Sequence, residues 1–207
     1  MNTQKEHATI FNNLHIKGSP LILCNIWDAG SARVLEDIGA KAIATSSWAV
    51  AAAHGYEDGE KLPFGLALAN LKRIIANVNL PVTIDVEGAY GQSPIQVSET
   101  ITKIIEAGAV GINFEDQIVG SDDLYSIEDQ WARIKAIREA AERVSMPLFI
   151  NARTDIFLKA DPSTHSDTLL RDAIRRANAY ANAGANGFFV PGLKDTKLIE
   201  KMCELSP

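Results

Sequence analysis

The chain has 207 residues, 46% hydrophobic and 22% charged, with 14 Gly, 8 Pro and two Cys, which excludes a disordered, collagen-like or disulfide-stapled chain. Its formal charge of −6 comes from 20 basic and 26 acidic residues, and the basic ones are scattered, which argues against nucleic acid as a partner. No run reaches the roughly 18 apolar residues of a membrane span, Met1 to Thr9 lacks a signal-peptide core, and Cys24 and Cys203 suit a reducing compartment. The expectation is a cytoplasmic protein, without a membrane or nucleic-acid partner, acting on a small molecule.

In chain order, Pro20 to Asn25 reads as a first buried strand, with Cys24 a small buried residue within it. Val34, Leu35 and Ile38 recur at helical spacing over 29–38, and Gly39 ends that helix. Lys41 to Ser46 is the second strand, followed by a polar loop from His54 to Gly65 and a helix near 66–77. Leu80 to Val86 is the third strand, Pro94 to Ala107 a helix, and Val110 to Glu115 the fourth strand. Ser126 to Val144 is a strong helix whose Ser126 and Asp129 are spaced as a capping box. Its Trp131 is expected in the core, as is Tyr180 on the later helix. Pro147 to Arg153 is the fifth strand, Thr168 to Ala183 a helix, Gly187 to Val190 the sixth strand, and a last helix starts near Asp195.

Apolar strands that alternate with helices imply parallel strands covered by helices. Three helices close on a Gly-Ala phrase leading into the next strand, at Gly39-Ala40, Gly108-Ala109 and Gly184-Ala185. That repetition favours a (β/α)₈ TIM-barrel architecture over an open doubly wound sheet, and no Gly-x-Gly-x-x-Gly follows the first strand. Only six βα units are found where a closed barrel needs eight. The expectation is one barrel domain over 1–207, truncated after about six units.

A parallel barrel works at the C-terminal ends of its strands. Those ends read Thr45-Ser46-Ser47-Trp48, Asp85-Val86-Glu87-Gly88, Asn113-Phe114-Glu115-Asp116 and Asn151-Ala152-Arg153-Thr154-Asp155. Asp85 and Glu87, two apart, face the same way on an extended strand, and Glu115 brings a third carboxylate alongside. Such crowding is relieved either by a hard divalent ion with oxygen ligands, Mg²⁺ or Mn²⁺, or by salt bridges with Arg153. Ser46 and Ser47 either cap a helix or bind an anion, which are compatible roles. His54 reads as a solvated loop residue, and Trp48 as a wall of the pocket or a packing residue under the loop.

The phrases Ile26-Trp27-Asp28-Ala29-Gly30-Ser31-Ala32, Gly55-Tyr56-Glu57-Asp58-Gly59, Asp85-Val86-Glu87-Gly88-Ala89-Tyr90-Gly91, Asn113-Phe114-Glu115-Asp116-Gln117 and Ala152-Arg153-Thr154-Asp155 occur in this order. Together they resemble the isocitrate lyase/phosphoenolpyruvate mutase superfamily over nearly the whole chain. The resemblance implies a Mg²⁺-dependent barrel enzyme that makes or breaks C–C or P–C bonds through a pyruvate enolate, commonly as a homodimer or homotetramer. It implies Asp85 as principal metal ligand, completed by Glu87 and Glu115, and Ser46 and Ser47 as holders of the substrate carboxylate. It places Asp58 near the reacting end of the substrate and Arg153 on the substrate's anionic groups; the proton donor is Asp58, Tyr90 or water.

Departures from the pattern narrow the subtype. The loop Gln117 to Tyr125 has no Cys, His or Lys, unlike the thiol-acid lyases of that superfamily, and no Asn, unlike its phosphonomutases. What remains resembles the phosphonomutase-like or oxaloacetate-decarboxylase-like branch. The expected activity is cleavage or decarboxylation of a small anionic 2-oxo or 2-hydroxy dicarboxylate. The alternatives are phosphonoenolpyruvate-type mutase chemistry, or a non-catalytic relic or binding module.

Overall fold

A computed structural model describes residues 3–207. Six strands, β1 (Cys24–Ile26), β2 (Ile43–Thr45), β3 (Val82–Asp85), β4 (Gly111–Glu115), β5 (Phe149–Arg153) and β6 (Gly187–Phe189), pair in parallel in the order β1-β2-β3-β4-β5-β6. Sequential order with parallel pairing throughout is the arrangement of a barrel of βα units, here with β1 and β6 as its two edges. Among the described residues no helix is long and apolar enough to cross a membrane.

The helices are α1 (Gln4–Asn13), α2 (Ala29–Asp37), α3 (Ser47–Ala53), α4 (Phe64–Ile75), α5 (Pro94–Glu106), α6 (Ile127–Arg143), α7 (Ile156–Lys159), α8 (Asp167–Ala183) and α9 (Thr196–Leu205). Their ends follow from local chemistry. Ser93 caps α5 in a reciprocal box with Gln96, and Pro94 opens the first turn with its preset φ. The Ser126 side chain accepts the Asp129 N–H at 3.0 Å, but its hydroxyl, not its backbone, engages the Asp129 carboxylate, so α6 has half of the expected box. Gly39, Gly108 and Gly184 all take positive φ (+90°, +105° and +108°), which turns each helix end into the next strand as the three Gly-Ala phrases predicted.

Three helices were not legible in advance. The polar N-terminal segment forms α1, and its one buried large apolar residue, Phe11, is 1% exposed and plugs the barrel floor against Phe149. Gly111 at the start of β4 makes room for it. A Cβ there would lie 2.9 Å from Thr83 Oγ1 and 3.0 Å from the Phe11 ring. Gly111→Ala is expected to destabilise by about 1–3 kcal/mol through overpacking, read as a lower denaturant midpoint; an unchanged midpoint would remove Phe11 as the plug. The short helices α3 and α7 are the other two, each following directly on a strand end.

Two burial expectations are corrected. Cys24 is exposed, and Ile22 just before it is 83% exposed, because β1 has a neighbour on one side only. Trp131 is 39% exposed on the outer face of α6, whereas Tyr180 is fully buried as expected.

Candidate active site

Strand register assembles the site in layers. Asp85 of β3 pairs with Asn113 of β4, and Asn113 with Asn151 of β5, so three polar side chains line up across the barrel interior. Asn151 Nδ2 donates to Asn113 Oδ1 at 2.9 Å, and Asn113 Nδ2 donates to Asp85 Oδ1 at 3.2 Å. The ladder fixes both amides and leaves Asp85 as its charged terminus. From the other side Ser47 donates to Asp85 Oδ2, at 2.9 Å from its hydroxyl and 3.3 Å from its backbone. Thr45 Oγ1 accepts the Asp85 N–H at 3.1 Å. Three contacts therefore hold one half-buried carboxylate in a fixed orientation, and a fourth pins its backbone.

One layer up, Glu115 of β4 is in register with Arg153 of β5, and the two form an ion pair at 3.2 Å. Arg153 also grips Asp155 in a fork, Nε to Oδ1 at 2.6 Å and Nη2 to Oδ2 at 2.9 Å. The internal-partner reading of Arg153 is thus realised. Two of its five N–H groups are hydrogen-bonded to Asp155 and its Nη1 faces Glu115, which leaves donor capacity for an anion. Burial opposes its charge, but Asp155 and Glu115 hold its pKa above the ordinary arginine value. Burial pushes Glu115 up to about 8 against the pull of Arg153, with Asp155, Asp85 and Glu87 pushing further.

These layers line a cleft of about 610 Å³ that runs from the mouth down to Phe11 and Phe149, with Ser46, Ser47, Asp58, Asp85, Asn113 and Arg153 on its polar side. The apolar side comes from the two edge strands and what precedes them, with Leu21, Leu23 and Phe189. Ser46 sits at the head of α3, its hydroxyl accepting the Ala49 N–H at 3.3 Å, so the expected helix cap is present on a residue that also lines the cleft. Trp48 lines the cleft, 66% exposed. His54 is half-buried and its Nδ1 meets the Val50 carbonyl at 2.9 Å, so it is tied down at the end of α3.

Two expectations require correction here. Asp85, Glu87 and Glu115 were expected to ring one cation, but among the described residues no three Asp, Glu, His or Cys side chains converge as a ligand cluster. The same-face argument fails because β3 ends at Asp85 and Glu87 has a φ of +50°, off the strand path. Glu87 instead accepts the Glu60 N–H at 2.9 Å, while Glu115 is paired with Arg153. Burial, then the charges of Asp58 and Asp85, push Glu87 up to about 7. Tyr90, a candidate proton donor, lies beside Phe64 and borders a small void of about 20 Å³ next to Asp85 and Glu87 rather than the cleft. Burial and the Glu87 charge raise its pKa, making it a poor acid. Asp58 is exposed and does face the cleft.

The donor set passes the test for magnesium on its chemistry. Mg²⁺ binds through one or two carboxylates with waters completing an octahedron, not through a closed protein cage. Asp85 offers one oriented carboxylate at the cleft wall, its partners there are a hydroxyl, a backbone N–H and an amide, and Glu87 and Glu115 stand close enough for the Asp85 charge to raise both, a crowding that a bound cation would relieve.

Several supporting residues gave no sequence signal as site residues. Asn113 and Asn151 stood among the polar strand ends without a role of their own, Glu60 lay in the polar loop, and Gln130, Arg133 and Arg176 fell on helices. Arg133 is 1% exposed and Gln130 fully buried; a charged residue on the inward side of a helical repeat was the available clue.

The family model described as phosphoenolpyruvate phosphomutase matches residues 11–207. A solved structure from Burkholderia cenocepacia J2315, provisionally described as a phosphonomutase, superposes with a TM-score of 0.96 at 48% identity, covering 99% of this chain and 81% of that one. The 2-methylisocitrate lyase of Halalkalibacterium halodurans is 28% identical over 98% of this chain and 65% of its own. The oxaloacetate decarboxylase of Pseudomonas entomophila is 28% identical over 94% of this chain and 65% of its own. The chain spans just under two thirds of the length of the curated relatives it matches.

Proposed function

The chain belongs to the phosphoenolpyruvate phosphomutase family, whose relatives here are lyases and mutases of small carboxylates, and from that premise we propose a Mg²⁺-dependent lyase. The substrate is a small anionic 2-oxo or 2-hydroxy dicarboxylate, cleaved or decarboxylated through a pyruvate enolate. The observation that carries the reading is Asp85, a carboxylate locked by Ser47 and Asn113 at the wall of a cleft that also presents Arg153.

Asp85 would hold the divalent ion, Mg²⁺ or Mn²⁺, with Glu87 and Glu115 as the surrounding negative charge. Once bound, the ion supplies electrostatic stabilisation of negative charge developing on the substrate's 2-oxygen. The free N–H groups of Arg153 receive a substrate carboxylate, with orientation fixed by the Asp155 fork. Ser46 and Ser47 line the wall beside it. Asp58, on the exposed loop over the cleft, carries the proton delivered to the carbanion carbon, or water does; Tyr90 is passed over because it borders a different void.

Purified protein is expected to consume oxaloacetate with Mg²⁺, lose that activity in EDTA and regain it with Mg²⁺ or Mn²⁺. Equal rates with and without EDTA would overturn the reading. A second reading, P–C bond chemistry on a phosphonate analogue, is favoured by the 48% identity to the Burkholderia structure. Phosphonopyruvate in the same assay, with phosphoenolpyruvate formation and phosphate release both monitored, separates the two.

A further inference from the structure

We infer that Arg133 and Gln130 of α6 are positioning residues that set where Glu87 and Glu115 stand around the proposed ion site, although neither touches the cleft. The inference rests on the metal reading given above. Arg133 Nη2 donates to the Gly88 carbonyl at 2.8 Å and to the Gly91 carbonyl at 3.0 Å, the two ends of the turn that follows Glu87. Its Nη1 donates to Gln130 Oε1 at 2.6 Å, and Gln130 Nε2 donates in turn to the Glu115 carbonyl at 3.1 Å. The Glu115 N–H donates to the Glu87 carbonyl at 3.1 Å and closes the circuit. Two side chains from one helix thus bind together the backbones of both acid-bearing segments.

The turn needs such a hold. Glu87, Ala89 and Tyr90 all adopt positive φ, at +50°, +64° and +53°, a conformation that is strained for non-glycine residues and persists only when surroundings enforce it. Enforcement comes from both sides. Glu60 Oε1 accepts the Tyr90 N–H at 2.7 Å and Glu87 accepts the Glu60 N–H from the loop side. Arg133 grips the carbonyls from the helix side. Its guanidinium is sandwiched between Tyr125 at 3.9 Å and Phe114 at 4.7 Å to the ring centroids, so it cannot swing away. Stacking, two carbonyls and a glutamine oxygen together use the planar fork in a way that a lysine ammonium cannot reproduce.

The test is Mn²⁺ affinity, measured by electron paramagnetic resonance of free Mn²⁺, with folding checked by circular dichroism and thermal melting. Arg133→Lys and Arg133→Met are expected to weaken Mn²⁺ binding at least about tenfold, and Gln130→Leu to weaken it in the same direction. Arg138→Met is the control. Arg138 lies on the same helix and also serves backbone carbonyls, Gly184 at 2.8 Å and Leu148 at 2.9 Å, but at the opposite ends of the strands. It should lose stability yet keep Mn²⁺ affinity within about twofold.

Folded Arg133 variants with parental affinity overturn the inference, as does an Arg138→Met variant that weakens binding equally, since that is the mark of general loosening. If Arg133→Met does not fold, Arg133→Lys and Gln130→Leu decide by the same criterion. A parent protein that binds no Mn²⁺ overturns the metal reading and this inference with it. A parent that binds, beside variants that bind equally well, overturns this inference alone.

Discussion

Asp85→Asn and Asp85→Ala are each expected to lower kcat/KM on oxaloacetate by about 10³-fold, on the order of 4 kcal/mol of transition-state stabilisation. The argument runs through geometry before chemistry. Asp85 is held by contacts to Ser47, Asn113 and Thr45, so its carboxylate is oriented in advance of any ligand and loses little freedom on binding one. Asparagine preserves shape and one oxygen but removes the charge that an ion requires. Stability should move little, or rise, because the Asp85 charge is one of those that raise Glu87 and Glu115. Removing it relieves repulsion that the free protein carries. Kinetics with Mg²⁺ and a thermal melt read both quantities. Activity within tenfold of the parent in a folded Asp85→Asn protein would mean that the charge is dispensable.

The barrel was readable because its signals are local. Three of the six apolar runs follow a helix end whose Gly-Ala phrase needs no tertiary information, and all six strands lie within the runs assigned to them save for Ile26, one residue beyond the first. The mouth residues followed from topology, since strand C-terminal ends are where a parallel barrel works. What stayed hidden depends on dihedrals and on partners distant in sequence. The spacing of Asp85 and Glu87 says nothing about the +50° φ that turns the second carboxylate toward Glu60. Nor does sequence say which acids hold Arg153, and the structure uses both Asp155 and Glu115. Phe11 sits in a polar segment with no strand or barrel signature, so its place in the floor appears only once β4 and β5 are adjacent. Arg133 and Arg176 looked like ordinary helix charges because burial of a cation is invisible until its acceptors, on other elements, are known.

Asp116 carries the second large effect, on stability. It is fully buried at the end of β4, where its Oδ2 accepts from Tyr180 Oη at 2.7 Å and Arg176 Nη1 at 2.9 Å, and its Oδ1 accepts the Asp155 N–H at 3.0 Å. Burial pushes its pKa up, while Arg176 and Tyr180 pull it down. Asp116→Ala leaves the 9% exposed Arg176 without its principal counter-charge and strands a buried phenol and a backbone N–H. Breaking a buried pair from one side costs about 3–5 kcal/mol, a large share of the roughly 5–15 kcal/mol available to a domain. For a chain of this size that corresponds to a Tm lower by about 6–20 °C. Removing both partners tests the mechanism. Asp116→Ala with Arg176→Met eliminates the stranded charge, and the pair should be destabilised by clearly less than the sum of the single variants. The same change reaches the cleft, because the Asp155 N–H anchored by Asp116 belongs to the residue whose carboxylate aims Arg153. KM for the dicarboxylate should therefore rise in Asp116→Asn, assayed below its melting point. A single Asp116→Ala variant that melts within about 2 °C of the parent would show that Arg176 finds another partner and that the network does not organise this end of the barrel.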